Sequence, residues 1–132
     1  MNLFVYGTLM VPRLMRAITG CRFSHACAIL KGYARYGVRN AIYPGLIPEQ
    51  AASTTGLVYS DMDARSGRLL DAFEGGEYRR QEVTVEVAGA GVVLAETYVF
   101  KPAFRHLLSD ADWDLEEFRN IHIETYLRRF KR

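Results

Sequence analysis

The sequence predicts a mixed, largely antiparallel α+β fold. Strand-like runs outnumber the helices that can cross between them, and the one clear strand pair is a hairpin. A doubly wound parallel sheet would need a crossover helix between successive strands. The order reads β-α-β-loop-β-α-β-β-α, with no internal repeat, linker or low-complexity stretch.

Each element has a local reason. Residues 2–6 are a short strand, apolar from Leu3 onward, that stops at Gly7. Residues 12–19 carry Leu14, Met15 and Ile18 at helical spacing; Pro12 suits the first turn and Gly20 the stop. A strand is expected around Ala26–Leu30, followed by an irregular stretch. Tyr43-Pro44-Gly45 has the signature of a turn or exposed loop. Residues 54–60 are β-branched and aromatic, hence a strand. Asp61 or Asp63 can cap the next helix, whose stripe is Leu69, Leu70 and Phe73 and whose end is Gly75-Gly76. Tyr78–Val87 and Val92–Phe100 form a hairpin about Gly89-Ala90-Gly91. From about Asp112 to Phe130 a closing amphipathic helix is expected, with Trp113, Leu115, Phe118, Ile121, Leu127 and Phe130 on its apolar face. Glu116 and Glu117 in its first turn, and Arg128 and Arg129 in its last, suit the helix dipole.

The 132 residues fit one domain, 1–132, long enough to bury a sizeable core. A net charge of +2 is too small to argue for nucleic acid or a membrane surface. The basic tail, Arg128-Arg129-Phe130-Lys131-Arg132, is explained by the helix dipole and a solvated end. No apolar run approaches the ~20 residues of a membrane span, and MNLFVYG does not read as a signal peptide, so a cytoplasmic protein is expected. Cys21 and Cys27 lack metal-ligand spacing and are expected as buried free thiols. His25, His106 and His122 are scattered and read as structural or surface residues.

Phosphate-loop, dinucleotide, zinc-protease and serine-elbow motifs are all missing. Two features remain. Glu74 lies four residues after Leu70, beside the buried helix face, and in the last turn, where the dipole disfavours a carboxylate. Desolvation and dipole would both raise its pKa, which suits a general acid/base. The alternatives are an ion pair with Arg79 or Arg80, or a solvent-facing helix end. The second feature is Tyr6-Gly7-Thr8-Leu9, a strand running through glycine into a helix. Gly7 permits a positive φ or a close approach, and the N–H groups of Gly7, Thr8 and Leu9 can cradle a carboxylate or carbonyl oxygen. Otherwise it is a plain strand–helix turn.

Phe4-Val5-Tyr6-Gly7-Thr8-Leu9, Tyr43-Pro44-Gly45, Gly56-Leu57-Val58-Tyr59, Leu70-Asp71-Ala72-Phe73-Glu74-Gly75, Tyr78-Arg79-Arg80 and Tyr98-Val99-Phe100 follow in that order over roughly residues 3–100. In this the chain resembles the gamma-glutamylcyclotransferase-like family, which includes gamma-glutamylamine cyclotransferases and plant avirulence-induced proteins. The resemblance implies a small β-barrel-like sheet with flanking helices. It implies that the Tyr6–Leu9 loop holds the glutamyl end of a small-molecule gamma-glutamyl substrate and that Glu74 is the general acid/base. The implied reaction releases 5-oxoproline and an amine, with no metal or organic cofactor; the small net charge already argued against a nucleic acid or membrane partner. Tyr43 and Tyr98 are further candidates for lining the pocket, and Arg35–Asn40 for meeting the leaving portion. The loop lacks the Tyr-Gly-Ser-Asn-Leu form of glutathione-directed members, so glutathione-type peptides are less favoured. A non-catalytic small-molecule-binding module on the same fold is the alternative.

Overall fold

The computed structural model describes residues 1–129. Among them five strands close into a barrel: β1 (Leu3–Val5), β2 (His25–Gly37), β3 (Pro44–Tyr59), β4 (Tyr78–Val87) and β5 (Gly91–Phe100). Their order around it is β1-β3-β2-β4-β5. Every pairing is antiparallel except that of β1 with β5, which meets at Leu3 and Glu96. That parallel seam is held largely outside the ladder. The Glu96 N–H donates to the Asn2 carbonyl at 2.9 Å, and the buried Thr97 hydroxyl donates to the Phe4 carbonyl at 2.9 Å. Closure leaves no free sheet edge.

Strand alternation divides the core in two. Phe4 and Tyr6 pack with Leu30, Leu46 and Val85 inside the barrel. Leu3 and Val5 pack on the other side of β1 with Leu14, Leu70 and Phe118, beneath the helices. Helix α1 (Pro12–Thr19) ends at Gly20, whose φ of 75° only glycine adopts freely. Helix α2 (Ala64–Glu74) is capped by Asp63, which accepts from the Ser66 N–H at 3.1 Å and the Ser66 hydroxyl at 2.6 Å. Those hydrogen bonds hold the Asp63 carboxyl below its usual range. Leu70 is fully buried and anchors α2, a side chain whose burial is worth ~1.5–3 kcal/mol.

Three stretches depart from expectation. The irregular stretch after Leu30 is strand: β2 continues to Gly37 through a bulge between Lys31 and Tyr33, where Gly32 has a φ of 85°. Tyr43-Pro44-Gly45 is not an exposed turn, because Pro44, at the strand's first position, and Gly45 open β3 and are buried. The closing helix is broken. Helix α3 (Leu115–Glu117), capped by Asp114, runs through a wide π turn at Phe118–His122 into α4 (Ile123–Arg128). The wider turn shifts the helical phase, so Ile121 is 64% exposed while Ile123 and Tyr126 are buried. Trp113 precedes the helix and donates its indole N–H to the Ile42 carbonyl at 2.9 Å. Phe130, Lys131 and Arg132 lie outside the described residues.

Both cysteines are free, but neither is buried: Cys27 falls on the outward phase of β2 and is exposed, and Cys21 is half-buried. Among the described residues no helix is long and apolar enough to cross a membrane, and no cluster of side chains has metal-binding spacing.

Candidate active site

The end of β1 delivers Tyr6 to a 3₁₀ turn at Thr8–Met10. Three contacts fix that turn. The Tyr6 hydroxyl donates to the Tyr98 carbonyl of the neighbouring strand β5 at 2.6 Å. Arg35 donates to the Tyr6 carbonyl at 2.8 Å, and the Tyr59 hydroxyl donates to the Leu9 carbonyl at 3.0 Å. The turn closes with the Met10 N–H on the Gly7 carbonyl at 2.9 Å. The N–H groups of Gly7, Thr8 and Leu9 precede that first turn, and none has an acceptor among the described residues.

Gly7 is needed here for space. Its φ is −129°, not positive, and a Cβ on it would come within 2.8 Å of the Pro44 ring. Pro44 is held in turn by the Tyr78 hydroxyl, which donates to its carbonyl at 2.6 Å. The two motifs at Tyr6–Leu9 and Tyr43–Gly45 are therefore packed against each other as one wall.

Glu74, the last residue of α2, faces that wall. Tyr6, Gly7, Thr8, Leu9, Tyr43, Glu74 and Tyr98, the residues singled out from sequence, line one narrow cleft, about 310 Å³ with the open solvent at its mouth, together with Pro44, Tyr78 and the end of β1. Pro44 and Tyr78 were not anticipated as lining residues. The Gly75-Gly76 break ahead of Tyr78 was the available signal, because it turns the chain back beside the end of α2.

Glu74 is half-buried, open to the cavity but otherwise packed about by protein. Its carboxylate has no hydrogen bond or ion pair among the described residues. Burial, with the neighbouring Asp71 charge second, raises its pKa to about 8. The expected alternative, a pair with Arg79 or Arg80, is not formed. Arg80 is taken by Asp71 at 3.1 Å and Glu96 at 3.6 Å, and Arg79 leans on Gln81. Asp71, one turn before Glu74, also accepts the Tyr98 hydroxyl at 2.7 Å. Asp71 thus keeps both nearby donors, and Glu74 is left without a counter-charge.

The tyrosines around Glu74 are not bases. Burial raises the pKa of Tyr6, Tyr78 and Tyr98 above the ordinary phenol value, so they stay protonated, and each hydroxyl already donates to a protein oxygen. Glu74 is the one carboxylate among the lining residues. Arg35 corrects a further expectation. It does not line the cavity but stands behind it, joining the Tyr6 carbonyl to Asp112. Arg39 and Asn40 are exposed and away from the lining.

A sequence model described as gamma-glutamyl cyclotransferase, AIG2-like, matches residues 3–115. AIG2-like protein C of Arabidopsis thaliana is 30% identical over 99% of this chain and 76% of its own length. Protein AIG2 C of the same plant is also 30% identical, over 99% and 79%. Among solved structures, an Arabidopsis thaliana protein determined in solution superposes with a TM-score of 0.72 at 28% identity, covering 98% of this chain and 78% of that one. A gamma-glutamyl cyclotransferase superposes at 0.67 over 98% and 87%; at 13% identity it shows the fold alone. The barrel, the helices at its flank and the run of motifs from Tyr6 to Tyr98 have the same source: this chain belongs to the gamma-glutamyl cyclotransferase, AIG2-like family.

Proposed function

We propose that the protein cyclises a gamma-glutamyl group, releasing 5-oxoproline and the amine that was attached to it. The observation that carries this reading is Glu74: an unpaired carboxylate with its pKa raised to about 8, facing a turn of unoccupied N–H groups across one cavity. The nucleophile is the substrate's own α-amine, so no serine or cysteine is required. An ammonium ion cannot attack, and Glu74 in its ionised form takes the proton. The neutral nitrogen then bonds to the γ-carbonyl carbon. The oxyanion that forms sits against the N–H groups of Gly7, Thr8 and Leu9, where losing one donor typically costs ~10²–10³ in rate. Collapse breaks the bond to the leaving nitrogen, which receives that proton back from Glu74; the second proton, shed by the ring nitrogen as it becomes an amide N–H, leaves through the same carboxylate to the freed amine.

The cavity walls supply the rest. Tyr6, Tyr43 and Tyr98 fold the glutamyl chain so that its nitrogen faces its own carbonyl, a positioning effect that can be very large in ring closures. No step calls for a metal or a redox group.

Turnover tests the reading. Wild type and Glu74→Gln are incubated with gamma-glutamyl amines, gamma-glutamyl amino acids and glutathione, and 5-oxoproline is read by mass spectrometry. Product from wild type, reduced ~10²–10⁴-fold in the variant, is the expected result. A folded wild-type protein that binds these compounds and releases no product would instead be a binding module.

A further inference from the structure

The inner cavity opens outward into a second space. Thr8, Tyr43, Glu74 and Tyr78 belong to both, and Phe73, Tyr126 and Arg129 complete the outer one. Together they make a vestibule of about 780 Å³, much of it open to solvent. If the inner cavity holds the gamma-glutamyl group, the atoms beyond the scissile bond occupy this outer space.

Its chemistry is specific. Phe73 and Tyr126 meet edge to face with ring centroids 6.3 Å apart, and Tyr126 is itself packed edge to face on Phe118 at 5.1 Å. This gives a fixed aromatic wall. The Arg129 guanidinium lies 5.1 Å over the Tyr126 ring, and no carboxylate pairs with it among the described residues. Glu74 and Arg129 are the two ionisable charges lining the vestibule, and Glu74 is committed to the reacting end. Tyr126 and Arg129 also lie past residue 115, where the family match ends. The outer wall joins the closing segment, which carries Tyr126 and Arg129, to Phe73 at the end of α2.

We propose that Tyr126 and Arg129, with Phe73, form a leaving-group subsite for amines that carry both a planar or apolar side chain and a carboxylate. The substrate class is gamma-glutamyl derivatives of aromatic or large apolar amino acids. A simple amine forgoes the charge-assisted hydrogen bond to Arg129, and a polycationic amine is repelled by it. This subsite depends on the cyclotransferase reading for its catalytic meaning, but not for its ability to bind.

Two substrates that differ only in the carboxylate test it: gamma-glutamyl-phenylalanine and gamma-glutamyl-phenethylamine. In wild type, kcat/KM for the first is expected to exceed that for the second by about tenfold or more. In Arg129→Gln the ratio falls to within about twofold of one. Tyr126→Leu is expected to shrink the preference for gamma-glutamyl-phenylalanine over gamma-glutamyl-alanine. Equal kcat/KM for the first pair in wild type, or a ratio that survives Arg129→Gln, overturns the subsite. Turnover of none of these compounds, with 5-oxoproline formed from other gamma-glutamyl amines, overturns the subsite; turnover of no gamma-glutamyl compound at all overturns the cyclotransferase reading instead. Binding then decides the subsite, by NMR titration with N-acetyl-L-phenylalanine and N-phenethylacetamide. The acid is expected to shift the Tyr126 and Phe73 ring signals and to bind more tightly than its neutral analogue, with the difference lost in Arg129→Gln. Equal binding, or shifts elsewhere only, overturns the subsite.

Discussion

Gly7 and Pro44 touch so closely that a methyl group on Gly7 would lie 2.8 Å from Pro44 Cγ and 2.9 Å from its Cδ. The proline ring cannot swing away, because it opens β3 and its carbonyl is held by Tyr78. Gly7→Ala is therefore expected to force the turn off its seat, at an overpacking cost of ~1–3 kcal/mol. Pro44→Ala removes the clashing ring atoms. The double variant should recover part of that loss, with a coupling of ~0.5–3 kcal/mol in a denaturation cycle. Strict additivity would mean that Gly7 serves something other than this contact.

Glu74 makes stability fall as pH rises. Its pKa is 4.5 in a free chain and about 8 in the fold. Below the lower value both states are protonated and no penalty exists. Between the two values the unfolded chain ionises while the folded one holds its proton, so the native state loses ground. Above about 8 the penalty is complete. With water entering the cavity it is on the order of 1–3 kcal/mol. Glu74→Gln should thus melt close to wild type near pH 4.5 and above wild type at pH 9. A variant that melts below wild type at pH 9 would contradict the desolvated carboxylate.

Asp71 sets part of that shift. It stands one turn earlier on α2, and its charge is the second cause of the raised Glu74 pKa. Asp71→Asn keeps an acceptor for the Tyr98 hydroxyl and removes the charge. The Glu74 carboxyl midpoint, followed by carbon NMR, is expected near 8 in wild type. In the variant it should be lower, by up to about one unit. The acidic limb of kcat/KM should move with it. An unmoved midpoint would leave burial as the whole cause.

Much of this site was legible because its parts are local. Glu74 could be read from one helix: its spacing from Leu70 puts it at the buried face, and the two glycines fix it in the last turn. The Tyr6–Leu9 turn could be read from an apolar run that stops at glycine. The reason for Gly7 could not, since the atom that forbids a side chain there belongs to Pro44, far along the chain. The full lengths of β2 and β3 were hidden as well. A bulge at Gly32 interrupts the alternation, and Pro44-Gly45 imitates a turn although Phe100 and Leu108 fill the space that Gly45 leaves. Ile121 fits a helical stripe until the π turn rotates it outward. The Gly7 and Pro44-Gly45 misses came from packing between segments distant in sequence, and the other two from single irregularities, a bulge and a π turn, that break a regular period.

Arg35 supports the last prediction. One guanidinium serves three partners: the Tyr6 carbonyl at 2.8 Å, both Asp112 oxygens at 2.7 and 3.1 Å, and the Trp113 ring at 5.6 Å. It ties the turn below the cavity to the segment that leads into α3. Burial opposes the Asp112 charge, but the Arg35 hydrogen bonds and charge prevail and hold its carboxyl below the usual range. A lysine cannot keep this geometry, because its ammonium is a single point rather than a planar fork. Arg35→Lys is expected to lose ~1–2 kcal/mol of stability by denaturant melt. 5-Oxoproline formation should fall through a looser Tyr6–Leu9 turn, while the Glu74 midpoint stays near 8. A drop in activity with a displaced midpoint would place Arg35 in the electrostatics of Glu74. Unchanged stability and turnover would show that Tyr98, Tyr59 and Pro44 hold the turn without Arg35.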